Sequence, residues 1–204
     1  IANFSGIESY GSNTINISYG ETQKVTVTGH ANIIDKLELG IQDDIWKMKL
    51  KDGNYKNAEL KFDIVLPILN SVELNGSGDT YIEDFTSNKI MNIGISGSST
   101  MVLNGNSGCE NLNIDMEGSG KINALGNFKN LQNLSIDIEG SGSYDGFSNK
   151  SKTSNIKISG SGSCNVSVEN SLNVKISGSG IVNYKGQPAI DTNISGSGKV
   201  INAN

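Results

Sequence analysis

Gly76-Ser77-Gly78, Gly97-Ser98-Ser99, Gly118-Ser119-Gly120, Gly140-Ser141-Gly142, Gly160-Ser161-Gly162, Gly178-Ser179-Gly180 and Gly196-Ser197-Gly198 write one short turn seven times. Successive first glycines stand 21, 21, 22, 20, 18 and 18 residues apart. A self-similar unit of about 20 residues marks a solenoid, in which each copy is one coil stacked on the last.

Aligned on the first glycine, the columns sort by chemistry. Two residues before it stand Leu74, Ile95, Met116, Ile138, Ile158, Ile176 and Ile194; four before it stand Val72, Ile93, Ile114, Ile136, Ile156, Val174 and Thr192. The column between holds Glu73, Gly94, Asp115, Asp137, Lys157, Lys175 and Asn193. Alternation with period two predicts a half-buried strand and excludes a helix. The alternation resumes more weakly after the turn, through Thr80, Met101, Ile122, Tyr144, Cys164, Val182 and Val200. Each coil thus reads strand, tight corner, second strand and looser return, with Asn104-Gly105-Asn106-Ser107 and Phe147-Ser148-Asn149-Lys150 among the returns. Glycine suits the corner because it reaches positive φ without a Cβ clash. Ser99 breaks the pattern once, which predicts a strained or differently shaped corner there.

Strands one coil apart must run parallel, about 4.8 Å from their neighbours. Strand–crossover–strand connections are overwhelmingly right-handed. The fold expected is all-β: a right-handed parallel β-helix, one domain over residues 1–204. Seven regular coils fill 71–201. Residues 1–70 alternate without the corner mark, through Ile15, Ile17, Val25, Val27, Trp46, Met48, Phe62 and Ile64. They read as irregular coils or as the cap that an open sheet edge requires.

Composition narrows the function classes. The chain carries 16 basic and 21 acidic side chains, for a net charge of −5, which disfavours nucleic acid and anionic membrane. All the basic residues are lysine, so the planar guanidinium fork is missing. That weighs against a polyuronate-cleaving β-helix enzyme. No apolar run reaches 18 residues, so no membrane-spanning helix is expected. The opening at Ile1 without Met fits a processed or trimmed export product. Cys109 and Cys164 would stand about 14 Å apart along the coil axis, too far for a disulfide, and read as free thiols, Cys164 facing inward.

Candidate chemistry is sparse. His30 stands alone in a turn, with no second ligand for a metal and no nucleophile aimed at it. Gly-Ser-Gly-Lys at 118–121 and 196–199 lacks the phosphate-loop spacing and leads into strands. The ladder of serines at 77, 98, 119, 141, 161, 179 and 197 is either a hydroxyl-lined docking strip or a small residue fitted to a crowded corner. Trp46, alternating with lysines, reads as core or as a sugar-stacking platform. The best constellation is acidic: Asp115 and Glu117 stack on Asp137 and Glu139, pointing outward. It is a hydrated patch offset by Lys157 and Lys121, a Ca²⁺ site or a glycosidase carboxylate pair. No cofactor is implied.

Several stretches together resemble the auto-transporter adhesin, head GIN domain family common in gut Bacteroidetes. They are Phe4-Ser5-Gly6-Ile7, Ile64-Val65-Leu66-Pro67-Ile68-Leu69 leading into Val72-Glu73-Leu74-Asn75-Gly76-Ser77-Gly78, the repeated Ile-Ser-Gly-Ser-Gly coils, and Val182-Asn183-Tyr184-Lys185-Gly186-Gln187-Pro188. The resemblance implies a right-handed β-helix without a catalytic set and export to the periplasm, outer membrane or cell surface. It also implies adhesion to host or envelope protein or glycan, and trimers by analogy with trimeric adhesin heads. The family supplies no ligand-binding residues. The function expected is a non-catalytic envelope module for adhesion or assembly. The alternatives are a carbohydrate-active β-helix enzyme or an oligomerisation scaffold.

Overall fold

A computed structural model of the chain describes every residue except 57, 84, 87, 88, 106 and 127. Asn106 of the first return named above therefore lies outside the described residues. The strands are β1 (Gly6–Gly11), β2 (Thr14–Tyr19), β3 (Lys24–Thr28), β4 (Ile41–Gln42), β5 (Ile45–Met48), β6 (Lys61–Leu66), β7 (Ser71–Gly76), β8 (Asp79–Glu83) and β9 (Ile90–Gly97). They continue as β10 (Thr100–Asn104), β11 (Asn111–Gly118), β12 (Lys121–Ala124), β13 (Asn133–Gly140), β14 (Ser143–Gly160), β15 (Ser163–Gly178), β16 (Ile181–Lys185), β17 (Ala189–Gly196) and β18 (Lys199–Asn202). One helical turn, α1 (Ala31–Ile34), interrupts them.

These strands wind into a β-solenoid with two parallel stacks meeting at the glycine corners. The first runs β5, β1, β7, β9, β11, β13, then the second half of β14, the second half of β15 and β17. The second runs β6, β2, β8, β10, β12, then the first halves of β14 and β15, β16 and β18. Pairing between successive corners is in strict register, Gly76 on Gly97 on Gly118 on Gly140 on Gly160 on Gly178 on Gly196. The aliphatic columns therefore fall directly over one another and fill the interior, where Ile93, Ile114, Ile136, Ile156 and Val174 are all buried.

The corners are stacked through their backbones. Ser98 N–H donates to Gly76 O at 2.9 Å, Ser119 to Gly97 and Ser141 to Gly118 at 2.8 Å, and the pattern continues to Ser197 on Gly178. The first glycine of each of these seven corners has positive φ, from 105° at Gly118 to 159° at Gly76. A Cβ on Gly118 would also stand 2.7 Å from the carbonyl oxygen of Gly97 below. Ser99 is not strained: it keeps negative φ and is buried inside the turn.

The N-terminal third differs from a simple continuation. Gly11-Ser12-Asn13 is a further corner, with Gly11 at φ 92° in register with Gly76. The coil it makes lies between one formed later in the chain, β5 and β6, and the coil of β7 and β8. The chain thus leaves its first coil, builds a closing layer beneath it, and climbs past it to continue. β3 pairs antiparallel with β6, β4 antiparallel with β5, and Ile33 of α1 is buried. This layer is the cap. Trp46 belongs to its core, stacked at a tilt on Phe4 and edge-on to Phe62, with its indole N–H donating to Glu38 O at 3.0 Å.

The later returns are more regular than their Asn-rich sequence predicts. β14 runs unbroken through Phe147-Ser148-Asn149-Lys150, which is strand and not loop. Its pairing with β15 absorbs the change in coil length by register shifts between Gly146 and Lys150 and between Ser151 and Thr153. Asn149 turns inward there, donating to Ala124 O at 2.6 Å and accepting from Phe128 N–H at 3.2 Å.

Candidate functional site: the outer face of the first stack

Residues three before each corner glycine point outward and form one column up the molecule. In register it reads Lys47, Glu8, Glu73, Gly94, Asp115, Asp137, Lys157, Lys175, Asn193. Beside it runs a column of Ser71, Asn92, Asn113, Ser135, Asn155, Asn173 and Asp191. Stacked amides bond along it, Asn113 Nδ2 to Asn92 Oδ1 at 2.9 Å and Asn173 Nδ2 to Asn155 Oδ1 at 2.8 Å. One side chain per coil at fixed spacing leaves these amides little alternative partner than the next rung.

Between the columns lie two shallow hollows of about 380 and 410 Å³. Ser135 and Asp137 line both, so the two hollows adjoin end to end at that rung and together make a trough along the columns. Its N-terminal half is acidic, through Glu73 and Asp115; its C-terminal half holds Lys157 and Lys175.

Gly94 shapes the acidic half. With no side chain on that rung, the Glu73 carboxylate reaches up over it from the coil below, into the space a Cβ would need. Burial raises the Glu73 pKa, and the charges of Glu8, Asp115 and Glu117 add to the effect. Asp115 is raised too, by burial first and then by Asp137 and Glu139, with Lys157 opposing. Lys157 is the counterweight. Its ammonium donates to Asp137 Oδ2 at 2.7 Å and lies 3.7 Å from Glu139 Oε1. That hydrogen bond is the main reason its pKa is raised. Asp137 Oδ1 has no hydrogen-bond partner among the described residues.

The four carboxylates singled out by the sequence therefore share one patch, Asp115 paired with Asp137 and Glu117 with Glu139. Lys121 lies beyond the corner on the second stack, between Thr100 and Ser143. Among the described residues no group of three or more His, Cys, Asp or Glu side chains could hold a metal ion. His30 is exposed beside α1. Both Gly-Ser-Gly-Lys corners open strands, β12 and β18, with no helix to receive an anion. The corner serines are exposed while their N–H groups bond the coil below. Cys109 and Cys164 are free and buried; burial pushes the Cys109 thiol up to about 11 and that of Cys164 further.

Sequence reasoning passed over Glu73 and Gly94 as a pair. The signal was present: a lone glycine in an outward column of charged residues, directly after a glutamate. It also passed over a hollow of about 360 Å³ on the second stack, where Tyr81 lies beside Asn16, Ser18 and Glu83.

The family described as "Putative auto-transporter adhesin, head GIN domain" (DUF2807) matches residues 3–188. Among solved structures, an adhesin-described protein of Bacteroides fragilis NCTC 9343 superposes with a TM-score of 0.83 at 19% identity, over 98% of this chain and 92% of the other. A protein of Parabacteroides distasonis ATCC 8503 described as lipid binding gives 0.77 at 23% identity, and an adhesin-described protein of Parabacteroides merdae ATCC 43184 gives 0.68 at 21%. Both cover 98% of this chain and 92% of theirs. At these identities the likeness is one of fold. No curated protein matches the sequence.

Proposed function

The chain belongs to the auto-transporter adhesin, head GIN domain family, and from that premise we propose that it is a non-catalytic surface module that adheres through the trough on its first stack. The observation that carries this reading is the column register. Amides, carboxylates and ammonium groups repeat once per coil on a backbone held rigid by parallel pairing on both sides. Such a face presents regularly spaced donors and acceptors to an extended polar chain, at no ordering cost to itself. Export to the cell envelope belongs to the same reading.

The partner class favoured is an extended glycan. The Asn92–Asn113 and Asn155–Asn173 amides offer uncharged donors and acceptors suited to hydroxyls, and Glu73, Asp115, Lys157 and Lys175 line the facing wall of the same trough. The test is a glycan array with the 204-residue protein, followed by titration calorimetry on any hit. Binding to an extended glycan, weakened at least tenfold by Asn113→Ala with Asn155→Ala, supports the proposal. No bound glycan, or binding that the double variant leaves unchanged, overturns it. Release of reducing or unsaturated sugar from a bound polysaccharide would overturn the non-catalytic reading.

A further inference from the structure

We infer that a pocket beneath the Gly11-Ser12-Asn13 corner is a second sugar site, which takes the acetamido group of an N-acetylated amino sugar. The site rests on the adhesion reading only in that its partner is a glycan. It shares no lining residue with the trough.

The pocket exists because this corner has no corner below it. At every glycine corner two residues part the strands of the two stacks, β1 from β2 and β7 from β8 alike. The capping coil does not turn this way. β5 ends at Met48 and β6 begins at Lys61, and residues 49–60 take another path between them. Leu37 and Leu50 form an antiparallel bridge, Glu38 N–H donates to Lys49 O at 2.9 Å, and Lys51 N–H donates to Lys36 O at 2.8 Å. These bonds draw the chain away from the place a corner would fill. A pocket of about 390 Å³ remains there, roofed by Gly11, Ser12 and Asn13 and walled by Leu37, Leu50 and Leu60. That volume lies at the small end of the range in which proteins hold small ligands.

The roof supplies a hydrogen-bond donor with nothing to bond. In each of the seven later corners the serine N–H donates to the first-glycine carbonyl of the coil below, from Ser77 on Gly11 to Ser197 on Gly178. The equivalent N–H of Ser12 has no partner among the described residues. Thr14 N–H, the other downward donor, is met by Leu60 O at 3.0 Å. Asn13 is buried, and its amide is already engaged by Ser9, Tyr10 and Leu60. An occupant standing in for the lower corner therefore brings one acceptor and a short apolar group. The rim favours a neutral acceptor: Lys49 is paired with Glu38 at 3.5 Å, and Glu59 opposes an anion. An acetamido group meets these terms, with its carbonyl oxygen on Ser12 N–H and its methyl against Leu37 and Leu50. Tyr10 lines the same pocket, 40% exposed, and its hydroxyl donates to Glu8. Its fixed ring offers the attached sugar an apolar face.

The experiment is a magnetic resonance titration of the isotope-labelled 204-residue protein with three probes: N-acetylglucosamine, glucose and N-acetylglycine methylamide. The expected result is a saturable downfield shift of the Ser12 amide proton with N-acetylglucosamine, and binding of glucose at least tenfold weaker. Ser12→Pro removes that N–H, and Leu50→Trp fills the pocket. Each should weaken binding at least tenfold, read on the Leu60 amide. Asn113→Ala with Asn155→Ala should leave the Ser12 shift intact, whatever it does to glycan binding in the trough. Loss of the shift in that variant would place the sugar in the trough and overturn the pocket. No saturable shift, an equal response to glucose, tighter binding of the methylamide than of the sugar, or binding indifferent to Ser12→Pro and Leu50→Trp would overturn it too. Should Ser12→Pro fail to fold, Leu50→Trp decides.

Discussion

A Cβ on Gly162 would stand 2.7 Å from the Cγ2 of Ile138, one coil below it. The same holds for Gly120 over Ile95 and Gly180 over Ile158, each at 2.6 Å. The third corner residue must therefore be glycine wherever a β-branched side chain sits beneath it. Ser99 lies one coil above Leu74, which is unbranched at Cβ, and the corner accepts a side chain there. Gly142 lies above Met116, and a Cβ added to it would keep 3.3 Å or more from every neighbour. Gly162→Ala should destabilise by about 1–3 kcal/mol through overpacking, while Gly142→Ala should stay within about 0.5 kcal/mol of the parent. Urea melts of the two variants, side by side, decide this; equal losses would refute the branching rule.

The raised Glu73 carboxyl makes a pH prediction. A carboxyl with a folded pKa above its unfolded one binds more protons in the folded state, so stability falls as pH rises through that interval. Glu73 and Asp115 both contribute in this direction. Glu73→Gln removes the ionisation and should melt higher than the parent at pH 7. The two curves should converge below about pH 4, where the parent carboxyl is protonated in both states. Thermal melts across that range check the sign; a lower melting temperature for the variant at pH 7 would contradict it.

The regular coils were legible because a two-residue alternation and a positive-φ glycine are both local signals. Beyond Gly76 every coil repeats them in chain order. The first coil hid for two reasons. Its corner carries Asn13 in the third place, where the side chain bonds Ser9 Oγ and Tyr10 O and accepts from Leu60 N–H, doing with polar contacts what glycine does by absence. Its lower neighbours, β5 and β6, also come later in the sequence than the coil they support, so no fixed period reveals them. The trough was half legible. Outward columns follow from the alignment, but the fold of Glu73 over Gly94 is a side-chain event that spacing does not encode.

Lys157 governs what the acidic patch can bind. Its ammonium already sits on Asp137 and near Glu139, the two carboxylates a cation would need most. Added millimolar Ca²⁺ should leave the melting temperature of the parent unchanged. Lys157→Met should lower it slightly, with the difference shrinking in high salt because the pair is exposed and screened. Differential scanning calorimetry with and without Ca²⁺, at low and high salt, tests both statements. A calcium-dependent rise in the parent would restore the site.

Tyr144 stands in the interior column between Ile122 and Cys164, fully buried, and its hydroxyl has no hydrogen-bond partner among the described residues. A buried hydroxyl without a partner keeps the cost of its lost hydration, about 1–3 kcal/mol. Tyr144→Phe retains the ring and removes that cost, so it should be neutral to stabilising by up to about that amount. Burial raises the phenol far above its ordinary range, with Cys164, Asp145 and Cys109 contributing in the same direction. Of the six tyrosines, one should therefore stay protonated in alkaline titration until the chain unfolds. Tyrosinate absorbance that accounts for all six before unfolding, or a clear loss of stability in the phenylalanine variant, would mean that the hydroxyl finds a partner in solution.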